Sequence, residues 1–199
     1  MTNHSCWNAE TAEVGGCERC PALIESRSRI VNGVGPRDAA LLFVGEAPGA
    51  REDERGEPFV GRSGDVLDEA LRAAGLHRED VRITNCVRCR PPENRDPTAA
   101  ERSNCAGYLD REIAAVDPAL VIALGKVPAE RLLDRDVPVT GEAGQIDRVR
   151  IGGTDRPVLV SVHPAATLYD PSRRDRFEDA LVTAADYAGE SGQSTFGQF

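Results

Sequence analysis

Short apolar runs recur along this chain, separated by longer segments in which apolar and polar residues mix. Runs of this length, closed by turn residues, are typical of strands buried on both faces of a parallel sheet. They predict four strands, at Ala40–Val44, Val81–Asn85, Ala119–Leu124 and Val158–Val162. Because helical patterns lie between the runs, the sequence predicts an α/β fold with a mainly parallel four-stranded sheet covered on both faces.

The segments between the strands predict four helices. One begins after Thr98, which stands at capping-box spacing from Glu101, and it ends before Asp117 and Pro118. The other predicted helices are Val66–Leu76, Val127–Leu133 and Ser172–Ala188. Residues 138–151 alternate in polarity and contain glycine, which indicates a small hairpin or an edge segment.

The domain organisation follows from these elements. Residues 17–188 hold all the predicted strands and helices and are expected to form one domain. Residues 1–16 are polar and glycine-containing and predict a flexible N-terminal arm, whereas residues 189–199 predict a frayed tail.

In a parallel sheet, ligands bind outside the carboxyl ends of the strands. The residues that close the four predicted strands or come within two positions of their ends include Glu46, Asn85, Gly125 and His163. These residues are far apart in sequence, yet the architecture brings them to one rim. The sequence therefore predicts a single site at this rim.

The longest connection, residues 45–64 (GEAPGAREDERGEPFVGRSG), follows the first strand. Its glycines permit positive φ and close approach of a ligand to the backbone. Long loops in compact domains are usually functional or disordered. Disorder is the alternative here, but Pro58–Val60 would give the loop an apolar segment to bury.

Several side chains at this rim could carry chemistry. His163 could stabilise a developing oxyanion, and Asn85 could bind an amide or base edge with its adjacent donor and acceptor. Phe59 could stack on a planar ligand, and the carboxylates of Glu46 and Asp53 could orient water. Each residue also has a purely structural alternative. His163 could stabilise a turn, Asn85 could cap one, Phe59 could fill the core under the loop, and the two acids could be solvated surface residues.

Six cysteines suggest metal binding, because a reducing compartment does not favour disulfides. Cys17-x2-Cys20 and Cys86-x2-Cys89 could form a four-thiolate zinc site, with Cys105 as another possible ligand. Iron–sulfur ligation by four thiolates fits equally well, and unliganded reduced cysteines are the third possibility.

Charge and hydropathy narrow the class of protein. The net charge of −9, from 33 acidic and 24 basic residues, argues against binding nucleic acid by bulk electrostatics. Local arginine clusters at 88–95 and 173–176 remain compatible with phosphate contacts. With no apolar run near 18 residues and no signal-peptide pattern, we expect a cytoplasmic protein without a membrane segment.

Together these motifs resemble the family-four uracil-DNA glycosylases, the iron–sulfur branch of their superfamily. The resemblance extends from about Cys17 to Tyr187. It rests on the cysteine pair that leads into Arg27, on the 45–64 block, on ITN…CRPPENRDPT at 83–98, and on SVHP at 161–164.

The resemblance implies a three-layer α/β/α fold and a structural [4Fe–4S] cluster. The implied cluster ligands are Cys17, Cys20, Cys89 and Cys105. Cys86 would then be a bystander that points away from Asn85, since side chains alternate along a strand.

The resemblance also implies hydrolysis of the N-glycosidic bond of deoxyuridine that has been flipped out of single- or double-stranded DNA. Phe59 would stack on uracil, Asn85 would read its polar edge, and the backbone of Gly45–Ala47 would line the pocket. His163 would stabilise the charge on the base, and Glu46 or Asp53 would place the water.

The same resemblance implies candidate DNA contacts. Leu168 in the HPAATLY segment is a candidate wedge, and Arg90, Arg173 and Arg174 are candidate phosphate contacts. One related branch traps the DNA sugar through a histidine after the second strand. Residues 90–97 contain no histidine, so we expect ordinary turnover without a covalent product. We also expect the protein to be a monomer.

Two other functional classes stay open on the sequence. One is a glycosylase for another deaminated base, such as hypoxanthine or xanthine. The other is a non-enzymatic metal-cluster protein that binds DNA, which would need the cysteines and arginines but not Phe59, Asn85 and His163 at one rim.

Overall fold

A five-stranded sheet forms the centre of this computed structural model, which describes residues 6–193. The sheet contains strands β3 to β7. Numbered along the chain, the strands are β1 (Trp7–Asn8), β2 (Glu13–Val14), β3 (Leu41–Gly45), β4 (Arg82–Asn85), β5 (Leu120–Leu124), β6 (Ile146–Ile151) and β7 (Thr154–Ser161). The strand order in the sheet is β4-β3-β5-β7-β6.

The four predicted strands are confirmed as a parallel set. β3 pairs with β4 and β5, and β5 pairs with β7, all in parallel. The fifth strand, β6, is antiparallel to β7 and comes from the alternating segment 138–151. Its side chains alternate between exposed and partly buried, as an edge strand with one solvated face requires. The expected four-stranded sheet therefore gains one edge strand.

Eight α-helices occur in residues 6–193: α1 (Pro21–Ser26), α2 (Ala50–Arg55), α3 (Arg62–Ala73), α4 (Ala99–Val116), α5 (Lys126–Leu133), α6 (Val139–Glu142), α7 (Pro164–Thr167) and α8 (Pro171–Gln193). The capping box at the start of α4 is confirmed, since the Thr98 hydroxyl accepts from the Glu101 N–H at 3.2 Å. Within the expected long loop 45–64, a short helix forms that the glycine content obscured.

Hydrophobic clusters on the two sheet faces create the three layers. Along β3, Leu41 and Phe43 face a cluster with α3 and α8, whereas Leu42 and Val44 face a cluster with α4 and α5. All four side chains are at most 2% exposed, as expected for a strand covered on both faces. The fold class inferred from the sequence is therefore confirmed. No helix in residues 6–193 is long and apolar enough to span a membrane.

A third cluster joins the N-terminal segment to the body of the protein. β1 and β2 form an antiparallel ribbon, and Val14 is buried in a cluster with Leu23 and Tyr108. Residues 6–16 thus differ from the expected flexible arm, because the two short strands pair and Val14 packs against the body of the protein. Residues 1–5 and 194–199 lie outside the described part of the chain, and residues 189–193 continue α8.

A buried ion cluster ties α4 to β4 and to the segment that follows β4. The Glu112 carboxylate is fully buried and accepts from Arg82 Nε at 2.9 Å and from Arg88 Nη2 at 2.6 Å. Arg88 Nη1 also donates to Asn32 Oδ1 at 3.0 Å. Two nearly buried arginines therefore share one carboxylate as their counter-charge.

Replacement of Glu112 with alanine is expected to destabilise the fold strongly. It leaves two buried guanidinium groups without a counter-charge, and such losses cost about 3–5 kcal/mol. Chemical denaturation measures the change. Glu178→Ala, which breaks the exposed pair with Arg174, serves as the control and should leave stability close to wild type. Equal stability of the two variants would contradict this assignment.

Candidate active site

A cavity of about 480 Å³ opens at the carboxyl ends of β3 and β4. Its walls include Glu46, Ala47, Phe59, Asn85 and His163. The register explains the meeting: Gly45 of β3 pairs with Asn85 of β4, so residues distant in sequence emerge side by side. Glu46, Asn85 and His163 thus meet at this cavity as expected, whereas Gly125 lines a neighbouring cavity.

Phe59 is held in the cavity wall by an unusual backbone. Its φ is 54°, in the left-handed region, and its N–H donates to the Glu52 carboxylate. Two glycines make room for it. A Cβ on Gly64 would lie 1.9 Å from the Phe59 carbonyl oxygen, and a Cβ on Gly45 would lie 2.6 Å from Phe59 Cε2. The ring position therefore depends on both glycines.

Asn85 is buried, yet its side chain has an unused donor. The side chain is 2% exposed, and Nδ2 has no hydrogen-bond partner among the described residues. A Cβ on Gly45 would approach Asn85 Oδ1 to 2.3 Å, so the glycine also makes room for this amide. A buried unsatisfied donor on a cavity wall is costly and points to a ligand that accepts from it.

His163 presents one defined ring nitrogen to the cavity. Its Nδ1 accepts from the Ala165 N–H at 3.1 Å, which places the proton of the neutral ring on Nε2. Burial lowers the pKa of His163 to about 4, so the ring is neutral near pH 7. Its centroid lies 5.7 Å from that of Phe59. His163 can therefore offer a hydrogen bond from Nε2–H but not a positive charge.

Glu46 shares the cavity with a second acid. Burial is the main cause that raises the pKa of Glu46 to about 7, and the neighbouring Asp96 raises it further by its charge and by a hydrogen bond. Arg102 acts in the opposite direction. Glu46 thus titrates near neutral pH, which suits a group that exchanges a proton.

The structure does not bring Asp53 to the cavity. Asp53 is buried on the other side of α2, and its two carboxylate oxygens accept from the N–H of Ser28 at 2.9 Å each. The expectation that it could place water is therefore corrected: its carboxylate anchors residues 28–29. The neighbouring Glu52 lines the cavity instead, where it also accepts from the Gly49 N–H at 2.5 Å.

Two contributors to the site were missed. Asp96 acts through Glu46, and only its position before a proline in the 83–98 motif could have drawn attention to it. Glu52 supports Phe59, and its spacing of three residues from Gly49 is the capping signal that could have revealed its role.

The candidate DNA contacts lie at varying distances from the cavity. Leu168 is 43% exposed and stands beside Tyr169, which is 79% exposed. Arg173 lines a second cavity of about 410 Å³, which also contains Lys126 and His163. His163 therefore lies between two adjacent cavities, and the second cavity is lined by the basic side chains of Lys126 and Arg173.

The other two candidate arginines are engaged on the surface. Arg90 donates from Nε to Asn94 Oδ1 at 2.8 Å, and Asn94 lines the first cavity. Arg174 pairs with Glu69 at 3.0 Å and with Glu178 at 2.8 Å. Neither Arg90 nor Arg174 lines either of these two cavities.

Five of the six cysteines gather away from the sheet. Cys17, Cys89 and Cys105 are buried in the third hydrophobic cluster, and Cys6 and Cys20 pack against it. Cys86 lies instead in the cluster under α4 and α5, as expected for a residue that points away from Asn85. Among the described residues, no three Cys, His, Asp or Glu side chains stand at distances that suit a single metal ion.

Comparison with known proteins decides the family. The profile described as "Uracil DNA glycosylase superfamily" matches residues 32–185. The chain belongs to the uracil-DNA glycosylase superfamily. A type-4 uracil-DNA glycosylase from Archaeoglobus fulgidus is 39% identical, over 92% of this chain and 94% of that protein. A type-4 uracil-DNA glycosylase from Pyrobaculum aerophilum is 41% identical, over 85% of this chain and 88% of that protein.

A third similar protein is the type-4 uracil-DNA glycosylase of Thermotoga maritima, 40% identical over 80% of this chain and 82% of that protein. A type-5 uracil-DNA glycosylase from Pyrobaculum aerophilum is 36% identical. The resemblance inferred from the sequence motifs is therefore confirmed at the level of the type-4 uracil-DNA glycosylases.

In this uracil-DNA glycosylase family member, we expect the pH dependence of activity to follow Glu46. If ionised Glu46 is the active form, kcat/KM should rise with pH through about 7. Asp96→Asn removes a negative charge and should lower the pKa of Glu46, which moves the rise to lower pH. Asp155→Asn, on the exposed β7 end, should leave the curve in place. Identical curves for wild type and Asp96→Asn would contradict the coupling.

Proposed function

We propose that the protein hydrolyses the N-glycosidic bond of uracil in DNA and leaves an abasic site. The observation that carries the proposal is the unsatisfied Asn85 Nδ2 in a cavity that also offers the Phe59 ring and the His163 Nε2–H. A planar base with acceptors on its edge complements all three groups. Such a base reaches the cavity only after it has left the helical stack.

Base selection would follow from the side-chain amide of Asn85. Its Nδ2 donates and its Oδ1 accepts, side by side. Uracil offers the matching pattern, with a carbonyl at position 4 and N3–H beside it. Cytosine offers an amino group and an unprotonated N3 at these places, so both contacts become repulsive. The discrimination comes from buried polar groups that the wrong base leaves unpaired.

Phe59 would form the face on which the base lies. Stacking of a base on an aromatic ring contributes about 1–3 kcal/mol. The left-handed backbone at Phe59 is held by the Glu52 carboxylate, so the ring is positioned before the substrate arrives. Such preorganisation avoids part of the cost of binding.

The bond between C1′ and N1 would break with its electron pair moving into the base. Negative charge then builds on the carbonyl oxygen at position 2, to which His163 Nε2–H donates. Because burial lowers the pKa of His163 to about 4, stabilisation comes from a fixed hydrogen bond, as in an oxyanion hole.

Water would attack the electron-deficient C1′, and ionised Glu46 would orient it and accept its proton. The carboxylate also faces the positive charge that develops on the sugar. Glu46 lines the cavity and has a pKa raised to about 7, which keeps it able to accept a proton near neutral pH.

DNA would lie across the rim that holds both cavities. The exposed Leu168, with Tyr169 beside it, is suited to fill the space that the flipped nucleotide vacates. Arg173 and Lys126 in the second cavity would contact phosphates of the same strand, and Arg90 and Arg174 would add contacts farther out.

The cysteine group would hold a [4Fe–4S] cluster through Cys17, Cys20, Cys89 and Cys105. Four of the five sulfurs gathered in this region suffice for iron–sulfur ligation. When bound, the cluster would cross-link the N-terminal segment, the loop after β4 and α4. We further propose a monomeric protein in the cytoplasm, where thiols stay reduced.

The direct test uses an oligonucleotide with one uracil, incubated in EDTA and then treated with alkali. Cleavage is expected at uracil and not at thymine or cytosine in the same place. Asn85→Ala should lower kcat/KM about 10- to 100-fold, since loss of buried hydrogen bonds costs about 1–3 kcal/mol. Gln145→Ala, an exposed amide, is the control. Unchanged activity of Asn85→Ala would overturn the recognition model.

Oligonucleotides with hypoxanthine or xanthine complete the substrate panel. Cleavage at one of these bases but not at uracil would assign a different specificity. Binding of DNA without cleavage of any base would assign a non-enzymatic role.

A separate prediction concerns the cluster ligands. Cys105→Ala should lose most of the iron and sulfide of the purified protein, measured by elemental analysis and visible absorption. Cys86→Ala should retain both, because Cys86 is buried in a different hydrophobic cluster. Loss of iron from Cys86→Ala with retention in Cys105→Ala would reverse the ligand assignment.

A further inference from the structure

Of the four cysteines proposed to hold the cluster, three accept a hydrogen bond from a side chain, each from a different residue. Tyr108 Oη donates to Cys17 Sγ at 3.6 Å, and Asn104 Nδ2 donates to Cys20 Sγ at 3.3 Å. The third contact is from Arg27 Nη1 to Cys89 Sγ at 2.9 Å. Three of the four sulfurs therefore have a side-chain donor.

The three side-chain donors are fixed by contacts of their own. The Tyr108 ring is 1% exposed and stacks on Trp7 with centroids 6.4 Å apart, and the Arg19 guanidinium lies 4.7 Å from its centre. Asn104 Nδ2 also donates to the Arg19 carbonyl at 3.3 Å. These contacts hold each donor toward sulfur.

Arg27 links two of the cysteine-bearing segments. Its Nη1 donates to Cys89 Sγ while its Nη2 donates to the Cys17 carbonyl at 2.7 Å. It is also the one charged side chain among the three donors. A charge-assisted hydrogen bond is stronger than a neutral one, so Arg27 should have the largest influence on its sulfur.

We infer that Arg27, Asn104 and Tyr108 set the reduction potential of the cluster by hydrogen-bonding its thiolate ligands. The inference rests on the cluster that the proposed function assigns to these cysteines. A donor withdraws negative charge from sulfur and favours the cluster state with one more electron. Hydrogen bonds to the sulfurs are one of the levers that set cluster potentials. Loss of a donor therefore lowers the potential.

Tyr108→Phe is the sharpest variant, because it removes one hydroxyl and keeps the ring in its stack. The reduction potential is measured by film voltammetry of the loaded protein, with electron paramagnetic resonance of the reduced cluster. The expected change is a shift to more negative potential. Its size corresponds to about a threefold to tenfold change in the ratio of reduced to oxidised cluster, where tenfold equals about 59 mV for one electron.

Arg27→Gln tests the charged donor and should shift the potential in the same direction by more. Tyr187→Phe, in α8 and packed against a different cluster, is the matched control and should leave the potential unchanged. If Tyr108→Phe does not load iron, Asn104→Leu replaces it, since that side chain has similar volume and lacks the donor.

The outcomes separate the two proposals. Iron and sulfide analysis of the wild-type protein comes first, and absence of a cluster would overturn the cofactor assignment together with this inference. A loaded cluster whose potential is the same in wild type, Tyr108→Phe and Arg27→Gln would overturn the inference alone. The donors would then only pack the cysteines.

Discussion

The parallel pairing of β3 with β4 is the constraint on which the candidate site depends. Its register sets Gly45 directly beside Asn85, so a strand-end glycine adjoins the amide that is proposed to read the base. A side chain at position 45 would occupy the space of both the Asn85 amide and the Phe59 ring. Backbone hydrogen bonds between two strands thus fix the relative positions of the groups that are proposed to select the base.

The segment that leaves β4 connects the cavity to the cysteine group within five residues. Asn85 lines the cavity, Cys86 packs against the sheet face, and Cys89 lies in the cysteine group. Between them, Arg88 is held by the buried Glu112 carboxylate. This short segment contributes to both the cavity and the cysteine group. A change in the position of the cysteines would therefore be transmitted to Asn85.

The sequence was most informative where chemistry coincided with regular structure. Strand ends predicted that Glu46, Asn85 and His163 would meet, because parallel topology brings strand ends together whatever their separation in sequence. The choice between adjacent acids could not be predicted in this way. Successive residues of α2 point about 100° apart, so only the packed structure shows that Glu52 faces the cavity while Asp53 faces residues 28–29. Asp96 acts through space on Glu46, which no local pattern reports.

The hydrogen bond from the Ala165 N–H to His163 Nδ1 has a consequence for the departing base. With Nδ1 occupied and the imidazole neutral, the ring holds a single proton on Nε2, and giving it up would leave an imidazolate. Under the proposed reaction, histidine cannot act as a shuttle that reprotonates the product. Uracil would then separate from the sugar as an anion and take its proton afterwards, from Glu46 or from the solvent that enters as the cavity opens.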